Sequence, residues 1–277
     1  MTAPAGKHLP GDPVPDDGSR AAPAPDPAMP GWFAVAHERL TAVRDRTWRD
    51  DPEDPDRPET IQAMPMVLHV PKNPVPEREG LLQAAGAAVV ACCLDERAGG
   101  DTAFARALTR WYGLRIRKIA RRARATKWDR VQSLPGVTAE VRGCAARAFA
   151  PGPVAETPAE LSTLQIEGTD VPPGAPVPEA AGPHALVHVD RGLGMSVGKA
   201  AAQVGHATML LAAAMDAGTA WEWACAGWAT VVREVPRGEF AAAATRARAA
   251  SPGAVVVDAG FTEVAPGAVT ACASWCP

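Results

Sequence analysis

Aromatic residues are scarce in this chain, 5% of 277 residues, although 47% of it is hydrophobic, because much of the apolar content is alanine. A core made from such a sequence is closely packed helix on sheet, with eight tryptophans as the larger fillers. The six cysteines, Cys92, Cys93, Cys144, Cys225, Cys272 and Cys276, form no CxxC pair and have no matching His spacing. That argues against a zinc site and a disulfide framework and predicts reduced, mostly buried thiols. No apolar run reaches the length of a membrane span, and the first residues lack the basic-then-apolar order of a signal peptide. A cytoplasmic protein without membrane contact is therefore expected. The formal net charge of -3 does not suit a nucleic-acid binder unless basic residues are concentrated locally.

Against these absences stands one polar cluster with helical spacing. In GKAAAQVGHA, residues 198–207, a 3.6-residue period brings Lys199, Gln203 and His206 onto one face, and the alanines between them allow close packing on a sheet. LVHV at 186–189 reads as the preceding strand, with Gly192, Gly194 and Gly198 where the backbone must turn. Lys199 then lies in or near the first helical turn, where side chain and macrodipole both favour an anion. Further on, the β-branched run 255–257 ends at Asp258 and continues as AGFTEVAPGAVT, with Thr262 and Thr270 beyond. A carboxylate at a strand end is where α/β sheets build their sites.

GKAAAQVGHA and DAGFTEVAPGAVT together resemble the two signature segments of the type-2 peptidyl-tRNA hydrolase family, GK-x-AAQ-x-x-HA and DAG-x-TQ-x-x-PG-x-x-T. The resemblance covers about residues 184–277. It implies hydrolysis of the ester between a peptidyl group and the 3′-terminal ribose of tRNA, with no metal or cofactor. On that basis Lys199, Asp258, His206 and Thr262 are the catalytic candidates. Lys199 would stabilise negative charge, with Asp258 pairing with it or positioning water, and His206, the one group of the set that normally titrates near neutrality, would shuttle a proton. Thr262 and Thr270 would offer hydroxyl hydrogen bonds to water or ribose, and Gln203 would orient either. Three departures stand out. Asp190, Arg191 and Gly192 replace the family's Arg-x-Asp, Val197 replaces a lysine, and Glu263 replaces the glutamine after the threonine. A non-catalytic RNA-binding or interaction protein that keeps the fold, and hydrolysis of a different acyl ester or amide, remain alternatives.

The rest of the chain divides by composition. Residues 1–30, rich in Pro, Ala, Gly and Asp, read as a disordered tail. Residues 31–61 read as an amphipathic helix over about 32–48, packed on the first domain, and an acidic proline-rich linker. The segment 62–155 runs parallel to 184–277: His69 matches His188, Gln83 matches Gln203, Pro135 matches Pro252 and Pro151 matches Pro266. Glu79, Gly86, Gly143 and Arg147 then replace Lys199, His206, Asp258 and Thr262, so the first copy is expected to be silent. Residues 156–183 would join the two copies. The expected fold is α/β, two similar three-layer α/β/α domains in tandem, each with a small mixed sheet of about four strands.

Between positions 106 and 130 the first copy carries ten basic residues against the single acid Asp129, with Trp111, Tyr112 and Trp128 interleaved. Arg115, Arg117, Lys118, Arg121, Arg122 and Arg124 are the candidate RNA contacts, with the aromatics stacking on unpaired bases. The family commonly pairs as dimers, so a tandem chain would reproduce that pair internally as a pseudo-dimer, or form a homodimer.

Overall fold

The computed structural model describes residues 28–44, 53–54, 56–166, 171–172, 182–260 and 262–277. The expected disordered tail lies almost wholly outside the described residues, as do residues 50–52 and 55 of the acidic linker and residues 167–170 and 173–181 of the interdomain connection.

Two sheets organise the chain. The first contains β1 (Gln62–His69), β2 (Lys118–Ala123), β3 (Gly136–Val141) and β4 (Cys144–Phe149) in the order β2-β1-β4-β3, with the short β5 (Gly152–Pro153) added to β1. The second contains β6 (His184–Asp190), β7 (Thr230–Val235), β8 (Gly253–Val257) and β9 (Val269–Cys276) in the order β7-β6-β9-β8. In each sheet the first strand runs parallel to the second and antiparallel to the last, and the last two strands pair antiparallel. Strand order and directions are thus the same in both domains, a mixed α/β sheet of the expected kind.

The alanine-rich segments form the principal helices, as their propensity favours. α2 (Arg78–Cys93) and α7 (Val197–Ala214) each follow the first strand of their sheet and are buried over most of their length. The opposite face of the second sheet is covered by α9 (Arg237–Ala249), which packs Phe240, Ala243, Ala244 and Ala247 with Val235 and Cys272. On the first sheet a smaller cluster, Val67, Ala123, Val131, Phe149, Leu161 and Leu164, lies under α5 (Thr126–Val131) and α6 (Ala159–Ser162). Each domain is therefore three-layered.

The two domains share one core, because α2 and α7 lie directly against each other. A Cβ placed on Gly205 would come 2.8 Å from Val89 Cγ2, and one on Gly86 would come 3.0 Å from Val204 Cγ1 and from Thr208 Cγ2. Thr208 Oγ1 donates to the carbonyl of Gly86 at 3.0 Å. The contact is reciprocal, as in a two-fold dimer interface, with Gly86 answering Gly205. α7 also packs on β2 of the first sheet, and α2 packs on β7 of the second.

Several sequence expectations change at this level. The reciprocal glycines put α2 and α7 one residue out of the expected step, so that Gly80 rather than Glu79 answers Lys199, Ala84 rather than Gln83 answers Gln203, and Ala87 rather than Gly86 answers His206. Pro151 follows β4 whereas Pro266 precedes β9, so these two prolines are not equivalent. Arg147 lies inside β4 opposite Val67 and Thr138, and so does not answer Thr262, which lies between β8 and β9. β3 and β4 are joined by a tight turn at Arg142 and Gly143, φ 52° and 76°, a geometry suited to two-residue hairpins. The corresponding connection in the second domain is the long loop 258–268.

The first helix, α1 (Gly31–Thr41), is shorter than expected and bridges both domains instead of resting on one. Arg39 Nη1 donates to the carbonyls of Ala98 and Gly100 at 2.5 and 2.7 Å, while His37 Nε2 lies 3.0 Å from the Ala212 carbonyl. Phe33 meets Trp221 edge to face at 4.9 Å between ring centroids.

The close crossing predicts that Gly205→Leu, which forces a branched side chain into Val89, destabilises the chain by about 1–3 kcal/mol. A lower urea midpoint at unchanged slope is the expected result.

Candidate active site

The N-terminal turn of α7 is fixed by a serine cap. Ser196 Oγ accepts the Lys199 amide N–H at 3.1 Å, and this puts the lysine one turn into the helix, pointing past its start. Gly194, at φ 60°, supplies the left-handed residue that ends the preceding single turn.

Asp258 arrives from the other side, immediately after β8. Its backbone closes the loop on itself: Asp258 N–H donates to Ala268 O at 2.9 Å and Gly267 N–H to Asp258 O at 2.8 Å. Gly260, at φ 82°, is the residue that permits this turn, since a Cβ there would come 2.4 Å from Pro266 Cγ. Its amide donates to Asp258 Oδ1 at 2.8 Å.

The ammonium of Lys199 and the carboxylate of Asp258 meet at 2.6 Å, with side-chain exposures of only 11% and 9%. Lys199 Nζ also donates to Thr262 Oγ1 at 2.9 Å. Gln203 Nε2 donates to the same Asp258 Oδ2 at 2.9 Å, and Thr270 Oγ1 donates to Gln203 Oε1 at 2.6 Å, which sets the orientation of the amide. A buried charge pair of this kind is held by hydrogen bonds to charged groups, each worth about 1.5–3 kcal/mol, and loss of one partner strands the other. Both carboxylate oxygens are engaged, whereas the ammonium, with three donors, has two partners among the described residues, Asp258 and Thr262.

Five of the six candidates in the second domain thus form one chain of contacts, Thr270 to Gln203 to Asp258 to Lys199 to Thr262. Thr270 is fully buried, so it supports the amide and cannot itself reach water or ribose. His206 is not joined to this chain by any hydrogen bond among the described residues. Burial first, then the charges of Lys118 and Lys199, push its imidazole well below the usual value. It favours the neutral form, the form in which a proton shuttle accepts its proton.

The basic segment of the first domain is dispersed over α4 (Ala103–Tyr112), β2 and α5. Trp111 and Tyr112 are buried, 0% and 2% exposed, and unavailable to bases, while Trp128 stacks on His69 at 4.7 Å. Arg117 pairs with Glu53, and Arg122 donates through Nε to Gln165 Oε1 at 3.0 Å. Arg121 is 8% exposed, its Nε and Nη1 without a partner among the described residues. Neither Arg121 nor Lys118 is a surface phosphate contact. Lys118 lies over the Trp111 ring, 5.0 Å from its centroid, with Nζ 3.6 Å from Met209 Sδ on α7. Arg115 and Arg124 remain exposed.

The direction of packing gives these positions a meaning. The Lys118 stem would touch a Cβ on Gly205 at 3.4 Å, and Ala120 Cβ one on Gly198 at 3.8 Å, so β2 and α7 run antiparallel. β2 therefore ends beside the start of α7, and Arg122 and Arg124 lie towards the Lys199 end while Arg115 lies towards the other.

Two contacts at the site were not anticipated. Glu263 accepts from Ser196 N–H at 2.7 Å and from Ser196 Oγ at 2.6 Å, tying the 258–268 loop to the cap of α7. Arg78 of α2 reaches the Met195 carbonyl at 2.9 Å. The serine three residues before Lys199 is a readable cap signal; the two long-range contacts have no local signature.

A helix-start lysine held by a strand-end aspartate, with hydroxyl and amide support, is a site suited to stabilising negative charge in acyl transfer. Residues 184–274 match the family model described as peptidyl-tRNA hydrolase PTH2, and the match spans the second domain while leaving the first uncovered. No curated protein and no solved structure matches the chain. Among the described residues no helix is long and apolar enough to cross a membrane, and no group of three or more His, Cys, Asp or Glu could hold a metal ion.

The setting of Lys118 yields a pH prediction. Burial holds its ammonium down at about 7. Between that value and the unfolded lysine value, near 10.4, the unfolded chain binds the extra proton, so stability rises with pH across this window. Lys118→Met should unfold at higher urea than wild type at pH 7 and show a flatter profile from pH 7 to 10.

Proposed function

We propose that the protein is a peptidyl-tRNA hydrolase whose reaction is carried by the second domain. The observation that carries this reading is the Lys199 to Asp258 contact at 2.6 Å within the segment that matches the family. Water attacks the ester carbonyl, the carbonyl π electrons move to oxygen, and the remaining N–H of Lys199 meets that oxyanion. Collapse of the tetrahedral adduct expels the ribose 3′-oxygen, which takes one of the two protons of the attacking water while the other passes to solvent, and leaves the peptide carboxylate. Asp258, its oxygens already occupied by Lys199, Gln203 and Gly260, serves to hold the ammonium in place. Thr262, exposed beside Lys199, is the hydroxyl nearest to incoming water or ribose.

The first domain is a degenerate copy of the second. The common strand order and the reciprocal crossing at Gly86 and Gly205 support duplication from one ancestor. Gly80 stands where Lys199 does, and a Cβ there would come 2.7 Å from Cys144 Sγ, so the equivalent space is closed by packing. The pair of domains acts as an internal pseudo-dimer, with Arg122 and Arg124 towards the Lys199 end of α7, and Lys127 exposed on the following helix, for the phosphates of the acceptor end.

Lys199→Ala and Asp258→Ala should each lower release of N-acyl-aminoacyl groups from tRNA by at least ~100-fold, as loss of charge stabilisation requires. Binding without any release by the wild-type protein would favour a non-catalytic RNA-binding role instead. For the RNA surface, Arg124→Ala and Lys127→Ala should each reduce the slope of log affinity against log salt by about 1, read by tRNA binding over a salt series.

A further inference from the structure

The turn that presents Lys199 is held from outside its own domain. Arg78, the first residue of α2, donates through Nε to Glu234 Oε2 at 2.6 Å and through Nη2 to Glu234 Oε1 at 2.9 Å. The same Nη2 donates to the carbonyl of Met195 at 2.9 Å. The two side chains are 12% and 10% exposed, so this is a nearly dry, bidentate pair across the domain boundary. A planar guanidinium can clamp a carboxylate and still offer a donor to a carbonyl, which a lysine ammonium does less well.

Met195 is followed by Ser196, and from there hydrogen bonds reach Lys199 by two routes. Ser196 Oγ accepts the Lys199 amide N–H, which fixes the lysine backbone. Ser196 N–H and Oγ both donate to Glu263, and the neighbouring residue Thr262 accepts from the Lys199 ammonium. Within the segment before the cap, Met195 is buried in the shared core and the Gly194 N–H donates to Arg191 O of the same turn at 3.2 Å, and the contact from Arg78 adds to this packing a hydrogen bond from the other domain.

We propose that Arg78 is a positioning residue for ester hydrolysis, supplied by the first domain, which sets the Met195 and Ser196 turn and through it the Glu263 clasp on the 258–268 loop. The inference rests on the peptidyl-tRNA hydrolase reading of the Lys199 site. It gives the silent domain a duty distinct from RNA contact: the site of the second domain is incomplete without it.

The test separates positioning from stability. In the full chain, Arg78→Leu with Glu234→Leu removes both charges together, an exchange that buried pairs commonly tolerate, while Met195 loses its donor. Steady-state hydrolysis of peptidyl-tRNA should show kcat down by roughly 10 to 100-fold at nearly unchanged KM and melting temperature, the scale expected for a misplaced catalytic group. Amide hydrogen exchange should quicken at 194–200 and 260–264 and stay as in wild type elsewhere. Should the double variant fold poorly, Arg78→Lys, which keeps the charge, is expected to show the same kcat loss in milder form. Unchanged kcat with unchanged local exchange overturns the proposal, as does exchange that quickens evenly through both domains. If the wild-type protein proves unable to cleave peptidyl-tRNA, the functional reading fails on its own, and the local exchange result still decides whether Arg78 sets this turn.

Discussion

The close crossing of α2 and α7 is the constraint on which the remaining features depend. Two helices approach this near only where side chains are absent or small, and Gly86, Gly205 and the surrounding alanines provide that. Because α7 is wedged between its own sheet and the helix and edge strand of the other domain, it has little freedom to rotate or slide. Lys199 projects from the end of this fixed element. The carboxylate that meets it comes from the one long loop of the domain, and the loop is in turn fastened to the helix cap by Glu263. Rigid helix and tethered loop together hold the buried ion pair in place.

Close packing also places charges where they are costly. Lys118 has its stem across Gly205 and its amine over an indole ring beside a thioether, with no carboxylate in reach, and it is this burial that lowers its affinity for a proton. Its charge helps to keep His206 neutral. The imidazole, which looks from its spacing like the proton carrier, is thus kept neutral mainly by burial and stands apart from the Lys199 to Asp258 contacts. Helical periodicity correctly places Lys199, Gln203 and His206 on one face, but the environment of that face belongs to the fold.

The same boundary separates what the sequence made legible from what it did not. Alternating apolar strands and alanine helices announced the α/β class, and the spacing of Lys199 and Gln203 with the strand-end Asp258 picked out side chains that the fold brings together. Their meeting depends on a contact between residues 59 positions apart, yet both lie in segments whose local pattern is strong. The basic run between 106 and 130 was misleading for a physical reason. Charge counted along the sequence ignores which residues a strand turns inward, and β2, an edge strand in its own sheet, is covered by α7 of the neighbouring domain. Lys118 and Arg121 were lost to the interior for that reason. The pairing of α2 with α7 was read one residue out because glutamines attracted the alignment, whereas the molecule aligns glycines, whose value lies in what they lack.

The two domains keep their symmetry in the backbone and break it in charge. Strand pairing puts Ala123 beside His69 and Arg233 beside His188, so if these histidines are equivalent, Arg124 of the first sheet answers Glu234 of the second. α2 begins with Arg78 and α7 with Val197. On one side of the pseudo-two-fold axis an arginine therefore meets a glutamate and the boundary is neutral. On the other the helix starts with the apolar Val197, and the exposed Arg124 takes the place of the glutamate. A symmetric pair would have two such boundaries of equal sign; here one is a paired arginine and glutamate beside the turn before Lys199, and the other carries an exposed arginine.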